Sequence, residues 1–364
     1  MFMNLFISVP YLFTGRSINA FMVCYAITCF VPMWFALLMG AKYLAQQLPA
    51  CHTALYYPLC MAVMVLWPMF LWPATHGMPD AFGLTFAAVI ALLCADYRFE
   101  TLPWPRLLAI FAATFALILT RRWYMFWILA FYAVYVLAVL VGAVRRKTLG
   151  STLKHMLLFG VPSAVIIVGA LLPTFKTILT TDYADIYGAY YGGGFGNNCL
   201  GQLRTQGLIW LVLCAAGLVW LLYCRSTRAQ AIVAAAASLG AMVLFTRTQS
   251  LGDHQSLILA PFYLLMLFGL CAKLTQQKAK PWLRNAAAGV LAVFLVVNFG
   301  NACVCPVKRA DPGPEQRKPG PDPPHRPGPD ARRDRFCAGA LHRGPDRLHQ
   351  YGFQWLQRHY LCLQ

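Results

Sequence analysis

Long apolar stretches without a polar face fill about the first 300 residues of the chain. Ala20 to Gly40, Trp123 to Val144, Gln206 to Cys224 and Ala286 to Cys303 each run without a single charge. A bilayer core of about 30 Å takes roughly 20 helical residues to cross, and these stretches meet that length. Backbone groups in lipid must pair within the segment, so the choice is helices or a closed barrel. Barrel strands would alternate apolar and polar over about ten residues. These stretches are apolar all round, which selects helices. Spans are expected near 19–44, 54–73, 80–96, 104–120, 123–144, 155–175, 206–224, 229–247, 255–274 and 283–303. The third and fourth are short, and fit tilted spans or a re-entrant pair. Prolines 32, 68, 162 and 261 fall inside these ranges, which membrane helices tolerate where neighbours satisfy the freed carbonyls. The expected fold is therefore an all-α polytopic membrane protein of about ten transmembrane helices, with residues 1–305 forming the bundle.

Composition agrees: 59% of residues are hydrophobic and 12% charged, against about a quarter charged in soluble domains. The net charge of +18 would suggest nucleic acid in a soluble chain, but here the cations sit beside spans. Cys24, Cys94, Cys214 and Cys271 lie within apolar stretches, where cysteine acts as a small hydrophobe. No metal-ligand spacing stands out; a divalent ion is neither required nor excluded by the pattern, and no cofactor is expected.

Charge also sorts the loops. One alternating set carries Lys42, Arg98, Arg106, Arg145, Arg146, Lys147, Lys154, Arg225, Arg228, Lys273, Lys278, Lys280 and Arg284. The other carries Arg16, Arg121, Arg122, Lys176, Arg204 and Arg247. The positive-inside rule places the first set in the cytoplasm. Met1 then falls outside, and the simplest repair is an odd number of spans upstream, one being enough.

The outward set holds most of the unusual polar residues. Asp80 follows His76-Gly77-Met78-Pro79; Arg121-Arg122-Trp123-Tyr124 is a tight hairpin; Asp182 and Tyr183 lie in the longest loop; Arg247, Gln249 and His254 lie between the eighth and ninth spans. Asp80 equally suits the first turn of a helix, where a carboxylate complements the dipole. Arg121 and Arg122 break the charge rule, and a guanidinium fork matches phosphate oxygens. The Gly192–Gly194 run has no preceding strand or following Lys-Ser/Thr, so it is a loop rather than a phosphate cradle.

Three stretches carry a family resemblance: Gly77 to Leu84, Leu119 to Tyr124, and Phe245 to Gln249 with His254 and Leu257 to Pro261. With them the chain, from about Asn4 to Arg309, resembles bacterial membrane glycosyltransferases of the GT-C fold, in the dolichyl-phosphate-mannose–protein mannosyltransferase-like group. The resemblance implies a GT-C-like bundle in the bacterial cytoplasmic membrane with its site facing outward. It implies an isoprenoid-phosphate-linked sugar as donor and a glycan, lipid or protein as acceptor, with no nucleic acid. Arg121, Arg122, Tyr124, Asp182, Tyr183, Arg247, Gln249 and His254 would bind substrate, and Asp80 is the catalytic candidate. The family's catalytic acid lies in a large external loop after the first span, which has no counterpart in this chain. Sugar transfer is accordingly expected to be impaired or lost.

Other functions share some of these features. A transporter or flippase would show internal repeats and midplane polar residues, and neither is evident. A polysaccharide polymerase for lipid-linked glycans would share the outward arginines. From Pro312 the character changes: Pro-Gly-Pro recurs three times, and arginine is frequent from there to the C-terminus. Such composition cannot bury a core. Residues 306–364 are expected to be a disordered tail, and a frameshift would explain the abrupt start.

Overall fold

The computed structural model describes residues 8, 12, 17–70, 80–121, 123–172, 176, 194–246, 251 and 255–304. The described residues are helical; β-pairing among them is limited to one bridge, Cys51 with Gln276. In chain order the helices are α1 (Ile18–Gln47), α2 (Thr53–Leu66), α3 (Asp80–Leu93), α4 (Trp104–Thr120), α5 (Tyr124–Arg146), α6 (Leu149–Ala170), α7 (Phe195–Gln206), α8 (Leu208–Tyr223), α9 (Arg228–Thr246), α10 (Ala260–Leu274) and α11 (Pro281–Val304). Short 3-10 turns occupy Pro68–Phe70, Phe99–Thr101 and Gln255–Leu259.

Each expected span coincides with a helix, but not each helix is long enough to cross. Six are: α1, α5, α6, α9, α11, and α10 together with its preceding turn. A seventh crossing arises only if α7 and α8, bent by 102° to one another, are taken as one broken span. At about 1.5 Å per residue, the 14-residue α2 and α3 reach only about 21 Å and the 17-residue α4 about 26 Å. Proline explains part of the shortfall. Pro68 ends α2, with Trp67 in an extended conformation, and opens a 3-10 turn. Pro261 likewise stands at the start of α10. Only Pro32 and Pro162 of the four lie inside helices, joined by Pro58 in α2.

Of the short helices α3 is interior, whereas α4 keeps an exposed face at Trp104 and Leu108. α3 packs against α1 and α4, while α5 pairs with α9 and α8 with α10. Without a hydrophobic force between helices in lipid, close approach needs small residues. Gly217 on α8 is one: a Cβ there would sit 1.9 Å from the Met266 carbonyl oxygen of α10. α6 and α11 form the periphery, with Val165 65% and Val290 72% exposed. Apolar surface on this scale suits lipid and not water. These helices fit an integral multi-pass membrane protein.

The two sets of loops separate physically. Residues of the more basic set bond to one another: the His52 N–H to the Thr275 carbonyl (2.7 Å), the Gln277 N–H to Ala50 (3.0 Å), Tyr43 to Asp96 (2.8 Å) and Arg146 to Glu100 (3.0 Å). Residues of the other set do the same. Tyr124 bonds to Asp80, Asn198 to Thr246, Gln202 to Ser256, and Trp123 packs on Phe245. The bundle thus has a basic end and an opposite end.

Candidate functional site

The opposite end joins two segments 41 positions apart, Asp80 and Arg121. α4 stops at Thr120 and α5 starts at Tyr124, so the intervening turn is tight, closed by the Tyr124 N–H on the Arg121 carbonyl at 3.1 Å. It brings Arg121 Nε to 3.5 Å from Asp80 Oδ1. The Tyr124 hydroxyl donates to the Asp80 main-chain carbonyl at 2.7 Å. Gly83, one turn along α3, makes this possible. A Cβ there would fall 2.3 Å from the Tyr124 ring, so only glycine lets the ring lie flat on α3.

The electrostatics are lopsided. Asp80 is fully buried and Arg121 is 27% exposed. Among the described residues neither Asp80 oxygen nor Arg121 Nε has a hydrogen-bond partner. A 3.5 Å ion pair neutralises the carboxylate but does not satisfy its lone pairs, a costly state for an enclosed charge. The arginine keeps an open side toward solvent. Among the described residues Asp80, enclosed, meets Arg121 and no acceptor.

Of the sequence-predicted residues, Asp80, Arg121 and Tyr124 therefore converge. Arg122, Asp182, Tyr183, Arg247, Gln249 and His254 lie outside the described residues. The positions beside the 247–250 segment are nonetheless fixed. Phe245 packs on Trp123, ring centroids 5.4 Å apart, next to the arginine turn. The Asn198 amide donates to Thr246 Oγ1 at 2.8 Å and accepts the Leu251 N–H at 2.8 Å. One buried side chain thus holds both flanks of that segment.

The sequence pattern gave no helix for α7, placing nearly all of it in the long loop between the spans expected at 155–175 and 206–224. Its three buried amides, Asn198, Gln202 and Gln206, recur every four residues, one helical face. Gln202 donates to Ser256 at 2.6 Å, and Gln206 accepts the Trp67 indole N–H at 3.1 Å. The amide spacing was the available signal.

The basic end is chemically different. Asp96 accepts from the Tyr43 hydroxyl and pairs with Arg106, whose Nε also donates to the Leu93 carbonyl at 2.7 Å. Burial disfavours the Asp96 charge, but the Tyr43 and Arg106 bonds outweigh it and hold the carboxyl below its ordinary range. Glu100 accepts from Arg146 (3.0 Å), Thr148 (3.2 Å) and Thr152 (3.1 Å). Burial opposes its charge too, and its own main-chain N–H, Arg146 and Thr152 still lower its pKa. Glu100 so ties the α3–α4 connection to α5 and α6.

A cleft with a cavity volume of about 100 Å³ opens between α1, α3, α9 and α10, lined by Gly40, Tyr43, Tyr97, Val233 and Phe262 among others. It is almost wholly apolar and contains none of the candidate residues. Among the described residues no cluster of three or more His, Cys, Asp or Glu could hold a metal ion. No known protein family matches the chain, and neither a curated protein nor a solved structure does.

Proposed function

We propose that this chain is a membrane-embedded glycosyltransferase bundle that holds an isoprenoid-phosphate sugar donor by its phosphate at the Arg121 end. The observation that carries the proposal is the meeting of Asp80 and Arg121, because it joins two of the segments on which the family resemblance rests. Arg121 has an unbonded Nε and an exposed flank. A lipid phosphate is the simplest anion to complete it, since its isoprenoid chain can stay in the bilayer. The thirteen-to-six asymmetry of basic residues favours this end as the outward one.

In the proposed transfer an acceptor hydroxyl oxygen bonds to the sugar's anomeric carbon. The carbon–oxygen bond to the phosphate breaks, and the lipid phosphate leaves with the electron pair. The hydroxyl proton goes to a general base. Arg121 offsets charge gathering on the leaving phosphate. Asp80 is a positioning residue, holding the guanidinium from the buried side. It is the one carboxylate among the described residues at this end, so the base comes from outside them.

The test uses the full chain in lipid nanodiscs. It should bind polyprenyl phosphate and not uncharged polyprenol, and Arg121→Ala should weaken that binding about tenfold or more, the effect of losing a charge-assisted contact. Equal binding of the phosphate and the alcohol sinks the proposal.

A further inference from the structure

α7 is amphipathic in reverse. Asn198, Gln202 and Gln206 are 2%, 2% and 4% exposed, whereas Phe195, Leu200 and Leu203 are 40%, 50% and 37% exposed. Its amides face the protein and its apolar residues face out, as on a helix whose outer side rests in lipid.

The inward amides are only partly used. Asn198 is bonded through both amide atoms. Gln202 spends its Nε2 on Ser256, and its Oε1 is enclosed without a partner. Gln206 spends its Oε1 on Trp67, and its Nε2 is enclosed without a partner. Two neighbours share this state: the indole N–H of Trp210, which stacks on Trp67 with centroids 5.5 Å apart, and Oε1 of Gln255, next to Ser256. Buried polar groups are ordinarily bonded, so four open ones on α7 and the residues linked to it among the described residues call for an occupant. Two are acceptors and two are donors, and none is charged. An anion would match only the donors and a cation only the acceptors. A hydroxyl both gives and takes a hydrogen bond, and matches all four.

We propose that the seam beneath α7 is a subsite for a neutral, hydroxyl-bearing group, with Gln202 and Gln206 as its recognition residues. Resting on the proposed function, that group is the sugar ring of the donor. The placement suits it. The 255–259 turn, tied to α7 through Ser256, packs on α3, which begins at Asp80. Sugar and phosphate would therefore be read on elements that share one turn. Access comes by lifting α7, which joins α8 at Gly207, a residue at φ +84 in the 102° bend.

The experiment compares polyprenyl phosphate with the same lipid carrying one hexose, on the full chain in nanodiscs. Wild type is expected to bind the hexosyl lipid at least tenfold more tightly. Gln202→Leu and Gln206→Leu should bring that ratio close to one while leaving affinity for the bare lipid within about twofold, which also reports intact folding. If the leucine variants lose bare-lipid binding, Gln206→Glu keeps the size and the Trp67 hydrogen bond, removes the open donor, and should likewise lose the preference. Variants that keep the preference overturn the subsite. A wild type that binds both lipids equally means the seam holds water only, which overturns the subsite and leaves the phosphate site standing. A wild type that binds neither removes both proposals.

Discussion

The two ends of the bundle treat polar groups in opposite ways. At the basic end every described carboxylate is saturated. Asp96 has Tyr43 and Arg106, and Glu100 has three donors from two helices and their connection. The open buried atoms there belong to His52, Tyr135 and Trp220, and none is a carboxylate or a guanidinium. At the other end the single described carboxylate has no hydrogen bond. Arg121, Gln202, Gln206, Trp210 and Gln255 each keep an enclosed open atom as well. Saturated networks rigidify a fold, while unsaturated ones cost stability unless something else completes them. The difference teaches that charge in this protein does two jobs. One end holds helices together, and the other is the end at which we propose a ligand.

The strongest way to break the comparison is to jam the open end. Gly83→Val should drive the Tyr124 ring off α3, because even a Cβ would approach it to 2.3 Å. Overpacking of this kind costs about 1–3 kcal/mol. Thermal unfolding in detergent should show that loss, and binding of polyprenyl phosphate should fall with it as the turn bearing Arg121 shifts. Unchanged binding would uncouple Tyr124 from the site.

A smaller change sharpens it. Asn198→Ala strips the Leu251 N–H of its buried acceptor and Thr246 of its donor. Leaving such a group unpaired costs about 1–3 kcal/mol, felt locally. Hydrogen exchange at Leu251 should accelerate by about tenfold, while exchange in α5 and α10 stays as in wild type. Uniform acceleration throughout the bundle would show that α7 supports the whole fold and not this segment.

Much of this was legible in the sequence, and the failures have physical causes. Apolar length located a helix at every expected span, since lipid demands internal pairing. Length alone gave ten crossings where the described residues give six helices long enough, or seven with the bent pair, because Pro68 stops α2 and the described lengths of α2, α3 and α4 fall short. Loop charge separated the two ends, since among the described residues Asp96 bonds to Tyr43 and Arg106, and Glu100 to Arg146, Thr148 and Thr152, all at the basic end. The Asp80–Arg121–Tyr124 meeting was legible from polar residues placed at the mouths of spans. α7 was not, because window hydropathy expects apolar residues inward and α7 turns its amides inward instead. Arg122, Asp182, Tyr183, Arg247, Gln249 and His254 fall outside the described residues, as does the tail from 305 onward.

The division of labour between the ends is tested most directly by measuring stability and lipid binding together in two variants of the full chain. Glu100→Ala leaves Arg146, Thr148 and Thr152 without their shared acceptor, and should lower stability by about 2 kcal/mol while polyprenyl phosphate affinity stays within about twofold. Arg121→Lys keeps a positive charge beside the buried Asp80 but loses the guanidinium fork, and should lower that affinity about tenfold while stability moves by under about 1 kcal/mol. If Glu100→Ala weakens binding as much as Arg121→Lys does, or if Arg121→Lys unfolds the protein and Glu100→Ala does not, the two ends do not divide these tasks and the account is wrong.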